Sequence, residues 1–269
     1  MTRGEPMEPL SKRRIWNALA RLETGPFGAN VHYYPRIGST NDVARELAAS
    51  HAPEGTLVIA DEQTAGRGRM GRRWEAPPNT GLLMSLIFRP RLSPADVHRV
   101  VMVCGLAVAE ACEASGAAPV AVKWPNDLQL GGKKFVGILP ESAIMGDRLA
   151  WVIVGIGVNV NQVFTPPDPL YETATSLRMV TGSAHDRAAL LARIMSRLNE
   201  WYGYLHDERL LEAWRERCTT LGQVIRARTA EGVVKGKAEE IDLSGALWIR
   251  DEAGKRHRLT ASEVTLLRT

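Results

Sequence analysis

The stretch Gln63 to Trp74 reads QTAGRGRMGRRW and threads four arginines, Arg67, Arg69, Arg72 and Arg73, between Gly66, Gly68 and Gly71, with no carboxylate among them. Glycine lets a backbone approach a ligand closely, and guanidinium groups pair with phosphate and carboxylate oxygens. These types in this spacing predict a loop that closes on an anion. An arginine-rich surface loop or a nucleic-acid patch accounts for the same residues when they are taken alone.

Three other stretches could serve such a loop. KWPND, Lys123 to Asp127, puts a lysine at a strand end ahead of Asn126 and Asp127. The lysine could neutralise phosphate, and the amide and carboxylate could bind sugar hydroxyls or magnesium; Pro, Asn and Asp are equally the residues of a plain turn. Lys134 heads the apolar run KFVGIL, a position where lysine is usually a solvated end residue. GSTN, Gly38 to Asn41, precedes a helical pattern over Asp42 to Ser50, and helix capping by Ser39 or Thr40 is enough to explain it.

The arginine loop contains G-x-G-x-x-G from Gly66 to Gly71, but a dinucleotide fingerprint needs a helix directly after the glycines. Here Pro77, Pro78 and a strand follow, and that strand runs into Arg89 and Pro90 instead of an acidic end. There is no Walker sequence, no G-x-S-x-G and no H-E-x-x-H, and the six histidines are scattered. Side-chain nucleophiles and metallohydrolase chemistry are therefore unsupported. Cationic clamps with glycine loops suit reactions in which two bound substrates attack each other while the protein stabilises charge.

The elements that must hold these residues follow from periodicity. Residues 1–10 are expected to be disordered, with a helix over Ser11 to Leu22. Strands are expected over Val31 to Tyr34, Thr56 to Glu62, Gly81 to Phe88, Val120 to Trp124, Asp127 to Leu130, Lys133 to Ala143 and Leu149 to Asn159. Pro140 inside one of them implies an edge or a bulge. Ser93 and Pro94 are expected to start a long core helix, and an amphipathic helix is expected over Asp186 to Leu205 with a shorter one around Leu210 to Trp214. From Leu221 onward short alternating runs separated by Gly-containing turns predict a small five-stranded barrel. The chain reads as α+β, with a tail and short helix over 1–30, a main domain over 31–220 and a second domain over 221–269.

With 269 residues, 45% hydrophobic and 24% charged, the chain has an ordinary globular composition, and a net charge of only +4 does not by itself argue for nucleic acid. No apolar run long enough to span a bilayer or to act as a signal is evident, so a cytoplasmic location is expected. Cys104, Cys112 and Cys218 have no C-x-x-C spacing and are read as core residues. The short stretch ahead of Val31 leaves no room for a helix-turn-helix module, so no DNA binding is expected.

GSTN, QTAGRGRMGRRW, KWPND, KFVGIL and GIGVNVN (Gly155 to Asn161), in this order and followed by a small β domain, resemble the biotin protein ligases of bacteria, in the monofunctional form. The resemblance covers roughly Val31 to the C-terminus. It implies a class II synthetase-like, mainly antiparallel sheet with helices, followed by an SH3-like β-barrel. It implies ATP and magnesium as co-substrate and metal, biotin as substrate, and transfer of biotin through biotinyl-5′-AMP to a lysine of a biotin carboxyl carrier domain, such as that of acetyl-CoA carboxylase.

By the same resemblance, Ser39, Thr40, Gln63 and the Arg67 backbone hold biotin's ureido ring, with Asn41, Gly68, Arg69, Lys134 and Gly137 completing the biotin pocket. Gly66, Arg67, Arg69 and Arg72 close over the adenylate. Trp74 packs near the adenine and Asn159 meets its edge. Asn126, Lys123 and Asp127 serve phosphates, with Asp127 toward magnesium; Lys134, Arg69, Lys123 and Asp127 carry the catalysis. A lipoate or octanoate ligase on the same fold, or a non-catalytic biotin sensor or repressor, stands as the alternative, and monomer and homodimer are both open.

Overall fold

The computed structural model describes residues 8–229, 232–260 and 263–266. Residues 1–7 of the tail expected to be disordered lie outside them. Residues 8–10 depart from the expected disorder, because Leu10 is buried and its carbonyl accepts the Tyr33 hydroxyl at 2.7 Å. Ser11 caps α1 (Lys12–Leu19), its side chain accepting from the Arg14 amide. The helix ends before Leu22, which is exposed.

The main sheet has seven strands, β1 (Val31–Ile37), β2 (Leu57–Gln63), β3 (Gly81–Phe88), β4 (Ala121–Lys123), β5 (Asp127–Leu130), β6 (Lys133–Met145) and β7 (Arg148–Asn159), in spatial order β1-β2-β3-β7-β6-β5-β4. Only β1 and β2 pair in parallel. β1 runs three residues beyond the expected Tyr34, straight through Pro35, which has no partner in the ladder. An edge strand tolerates the missing N–H. Pro140 also sits at an edge: it faces Val154 of β7, while β5 has already ended opposite Gly137. The bulge in β6 lies further on, between Ala143 and Ile144. Gly131 and Gly132, with φ of 57° and 77°, make the tight β5–β6 turn.

One face of the sheet packs on α3 (His98–Glu113) and α5 (Arg187–Tyr202), with α6 (Glu208–Arg217) against α3. Leu82, Met84, Leu86, Phe88, Val152, Val154, Ile156 and Val158 meet Val100, Val103, Cys104, Ala107, Leu190, Leu191 and Ile194 in the principal core. Burial pushes the Cys104 and Cys112 thiols up, in keeping with inert core residues. α3 departs from expectation at its start. Ser93 donates to the Asp96 carboxylate instead of accepting from the helix N-terminus, so Pro94–Asp96 forms a separate 3₁₀ turn and α3 begins at His98. α5 is capped by Asp186 and stops at Tyr202, three residues short of Leu205. A short helix absent from the sequence reading, α4 (Leu177–Thr181), follows the proline-rich loop.

The other face carries α2 (Thr40–Ala49), whose Ala44 and Ala48 pack on Val58, Ile87 and Ile153.

The C-terminal sheet holds β8 (Val224–Thr229), β9 (Gly232–Ile241), β10 (Leu247–Arg250), β11 (Arg256–Leu259) and β12 (Glu263–Leu266), all antiparallel, in order β11-β10-β9-β8-β12. β9 pairs with β8 up to Lys237 and with β10 from Lys237 to Ile241. One long strand shared between two neighbours in this way curls a small sheet, as in SH3-like folds.

Candidate functional site

The register of the main sheet lays out three rows on the α2 face. Asp127, Gly137, Gly157 and Leu83 lie side by side, then Leu139, Gly155, Ser85 and Val58, then Glu141, Ile153 and Ile87. α2 covers the third row. The glycines leave the first two rows open for side chains from elsewhere. A methyl group built on Gly157 would come within 2.4 Å of the Trp74 indole, and one on Gly155 within 2.3 Å of the Asn41 amide. Over these rows opens a cavity of about 580 Å³, lined by residues of GSTN, the arginine loop, KWPND, KFVGIL and GIGVNVN together.

The arginine loop is a hairpin. Trp74 donates its N–H to the Gly66 carbonyl at 3.1 Å, and Gly68 donates to the Arg72 carbonyl at 2.7 Å. The tip, Arg69–Gly71, is a single 3₁₀ turn in which Met70 and Gly71 take φ of 57° and 73°. The four arginines separate in role. Arg67 grips Asp42 through two hydrogen bonds of 2.8 and 2.7 Å. Arg69 turns inward and donates to Asn126 Oδ1 at 2.8 Å. Arg72 and Arg73 both line the cavity, Arg73 largely exposed beside Glu75 and donating to the Thr64 carbonyl at 3.3 Å.

The cavity has two electrostatic ends. At one, Lys134 Nζ lies 2.6 Å from Asp127 Oδ1 and 5.6 Å from the centre of the Trp74 ring. Burial pulls Lys123 below its ordinary pKa, with Asp127 opposing and Lys134 and Arg72 adding to the depression. Burial does the same to Arg69, again opposed by Asp127. Several cations thus crowd one carboxylate, a setting that favours an anionic ligand. Asn126 is held on both sides, donating to the Ile138 carbonyl at 2.5 Å and accepting from Arg69. Asn159 donates to the Thr175 carbonyl at 3.1 Å.

The other end is polar and without charge. Gln63 Oε1 accepts the Thr40 backbone N–H at 2.7 Å and lies 3.0 Å from the Thr40 hydroxyl. Ser39 occupies the N-cap position of α2 yet makes no side-chain cap hydrogen bond. The capping account of GSTN therefore fails for Ser39, and α2 starts at Thr40, two residues before the sequence pattern suggests. Behind this end stand residues that sequence reasoning passed over. Ser85 is fully buried and contacts Thr40 and Asn41, and Glu141 accepts from Asn41 and pairs with Arg45. A serine in the middle of GLLMSLIF is the signal that could have found the first, since a buried hydroxyl in an apolar strand needs a partner.

KWPND is tied to the C-terminal sheet. The Trp124 amide donates to Thr220 Oγ1 at 3.0 Å and its indole N–H to the Gly245 carbonyl at 2.9 Å. Val264 of β12 reaches the cavity wall. No cysteine or histidine lines the cavity, and among the described residues no group of three or more His, Cys, Asp and Glu could hold a metal.

The profile of the biotin/lipoate A/B protein ligase family matches residues 33–159, and that of the biotin protein ligase C terminal domain matches residues 220–267. A bifunctional ligase/repressor BirA of Bacillus spizizenii is 40% identical over 240 residues, which are 87% of this chain and 73% of that protein. A biotin–[acetyl-CoA-carboxylase] ligase of Paracoccus denitrificans is 36% identical over 85% of this chain and 97% of its own length. Among solved structures, the biotin protein ligase of Aquifex aeolicus in complex with biotin and ATP aligns with a TM-score of 0.73 at 30% identity, covering 90% of this chain and all of that one.

Proposed function

We propose that this chain, which belongs to the biotin protein ligase family, is an ATP-dependent biotin protein ligase that makes biotinyl-5′-AMP and passes biotin to a lysine of a biotin carboxyl carrier domain. The observation that carries the reading is the two-ended cavity. An uncharged hydrogen-bonding end at Ser39, Thr40 and Gln63 faces a cationic end at Lys123, Lys134, Arg69 and Arg72 across a glycine floor roofed by Trp74. A cyclic urea with a carboxylate on a chain fits that polarity end to end. A lipoyl dithiolane offers no hydrogen-bond donors to Thr40 and Gln63, whereas a cyclic urea offers both donors and an acceptor. The lipoate alternative is disfavoured on that ground.

In the first step the biotin carboxylate attacks the α-phosphorus of ATP, forming the acyl–phosphate bond and releasing pyrophosphate. Lys134 and Arg69 lie where negative charge grows on the reacting oxygens, with Lys123 and Arg72 toward the leaving phosphates; fixed charges that need no reorganisation lower such a barrier most. Asp127, at the cationic end, is the carboxylate that would meet a magnesium carried by the nucleotide phosphates, which would supply charge neutralisation there and needs only one or two protein carboxylates. In the second step a carrier lysine attacks the acyl carbonyl and AMP leaves. In this reading the carrier lysine is the nucleophile, and the protein need supply none. The glycine and arginine hairpin then serves as the lid that keeps the acyl phosphate from water.

The catalytic domain is taken as residues 31–220 and the second domain as 221–269, and no DNA partner is invoked. Sedimentation separates monomer from homodimer, and cell fractionation tests the cytoplasmic location; no described helix is long and apolar enough to cross a membrane. The deciding experiment supplies the purified protein with biotin and magnesium ATP and measures biotinyl-AMP and labelling of a carrier domain, with lipoate as competitor. Absence of both products, or preference for lipoate, rejects the reading.

A further inference from the structure

Behind the uncharged end of the cavity runs a row of oxygens: Asn41 Oδ1, Ser85 Oγ, Thr40 Oγ1 and Gln63 Oε1. Ser85 Oγ is 2.6 Å from Asn41 Oδ1 and 2.7 Å from Thr40 Oγ1, and Thr40 Oγ1 is 3.0 Å from Gln63 Oε1. These three oxygen–oxygen contacts have two hydroxyl protons between them, one on Ser85 and one on Thr40. One contact must therefore go without a proton. The Gln63 amide cannot turn to supply it, because its oxygen already takes the Thr40 backbone N–H at 2.7 Å.

The deficit originates at Glu141. A carboxylate only accepts, so it takes the Asn41 Nδ2 hydrogen at 2.8 Å and forces Asn41 Oδ1 toward Ser85. Ser85 must then spend its proton on Asn41, which leaves Thr40 with a single proton for both Ser85 and Gln63. Burial tends to raise the Glu141 carboxyl, but hydrogen bonds from Arg45 and Asn41 outweigh it and hold it below its ordinary value, so it is ionised near neutrality. Gly155 provides the space in which the Asn41 amide lies.

We propose that Glu141 is a positioning residue that keeps the Thr40–Gln63 pair one proton short, so that a ureido N–H of the substrate completes it. This rests on the biotin reading above. Glu141 touches no substrate; it works by fixing the direction in which Asn41 and Ser85 donate.

The logic makes an unusual demand on mutants. In E141Q, Arg45 holds the new amide oxygen, so the amide N–H₂ faces Asn41 and turns it over. Asn41 then donates to Ser85, Ser85 to Thr40 and Thr40 to Gln63. Three contacts have three protons, and the ligand's N–H finds no free acceptor. In the double variant N41D/E141Q, the carboxylate at position 41 accepts from both the new amide and Ser85, and the original direction returns.

The test measures KM for biotin and for ATP separately by pyrophosphate release, with biotin affinity by calorimetry, for wild type, E141Q, N41D/E141Q and R45M. Expected are a roughly tenfold rise in biotin KM for E141Q, the scale of one misdirected hydrogen bond, with ATP KM within about twofold. N41D/E141Q should recover most of that loss. R45M, which removes the ion pair that helps hold Glu141 ionised, should keep wild-type biotin KM at alkaline pH, where the carboxyl stays ionised without it. Loss in E141Q with no recovery in the double variant, equal rises in both KM values, or an unchanged E141Q each overturns the proposal. A wild-type protein that neither binds biotin nor releases pyrophosphate rejects the ligase reading instead.

Discussion

Lys134, the second residue of β6, reaches Asp127, the first residue of neighbouring β5, with 2.6 Å between Nζ and Oδ1. The lysine that would meet the biotin carboxylate is therefore already engaged, and an incoming anion must compete with Asp127 for it. Lys134→Ala should slow adenylate formation about a hundredfold, the typical worth of one preorganised charge at a transition state, while the thermal midpoint changes little because both side chains are partly exposed. Single-turnover formation of biotinyl-AMP, read beside a melting curve, checks both halves.

Arg69 reaches Asn126 from the tip of the loop. Removing either end of that bond should loosen the lid over the adenylate. Arg69→Gly is expected to give diffuse biotin labelling of bystander proteins, and Asn126→Ala a weaker form of the same. Labelling that stays confined to the carrier domain in both variants would count against the lid.

Gly157→Ala puts a methyl group where the Trp74 indole lies, 2.4 Å from its nearest atom. The indole and the hairpin it terminates should lift off the sheet. Expected are faster proteolytic cleavage between Gly66 and Trp74 and a large loss of adenylation, with secondary structure by circular dichroism unchanged.

His98 is partly buried, and its Nε2, shielded from solvent beside Gly245 of the C-terminal sheet, has no hydrogen-bond partner among the described residues. Burial first, and Arg69 second, bring its pKa from 6.5 down to about 4. Between those values the unfolded chain binds a proton that the folded chain refuses. This group's contribution is therefore intact above pH 6.5 and is lost progressively as pH falls toward about 4, by up to about 3 kcal/mol. His98→Gln should flatten the pH dependence of the thermal midpoint over that window.

Arg187 and Asp61 form an ion pair at 2.6 Å with side-chain exposures of 2% and 7%. Arg187 also holds the carbonyls of Gly81 and Glu8. Breaking such a pair leaves a buried charge alone, so Asp61→Ala should cost about 3–5 kcal/mol. A chemical-denaturation midpoint that hardly moves would contradict this.

The strands were legible because an apolar run such as GLLMSLIF has one reading when it is bounded by turn residues, and β3 runs from Gly81 to Phe88 as expected. The start of α3 was less so, because Ser93 chose a carboxylate three residues on over the helix backbone. Within the cavity, the motif residues could be named in advance since each motif announces itself by composition. Their partners could not. Nothing local in the sequence says that Asp42 closes on Arg67, or that Glu141 of β6, 100 residues on, takes the Asn41 amide of α2. Those relations are set by register: Ser85, Gly155 and Leu139 share a row only because three strands pair as they do.

The anchoring of Trp124 has a further consequence. Its backbone is held by Thr220 and its indole by Gly245, so the turn carrying Asn126 and Asp127 is clamped from outside the main sheet. The C-terminal sheet thereby acts as a splint for the cationic end of the cavity. Strain applied at the Asp242–Gly245 turn, far along the chain, would be felt at Asn126 and Asp127.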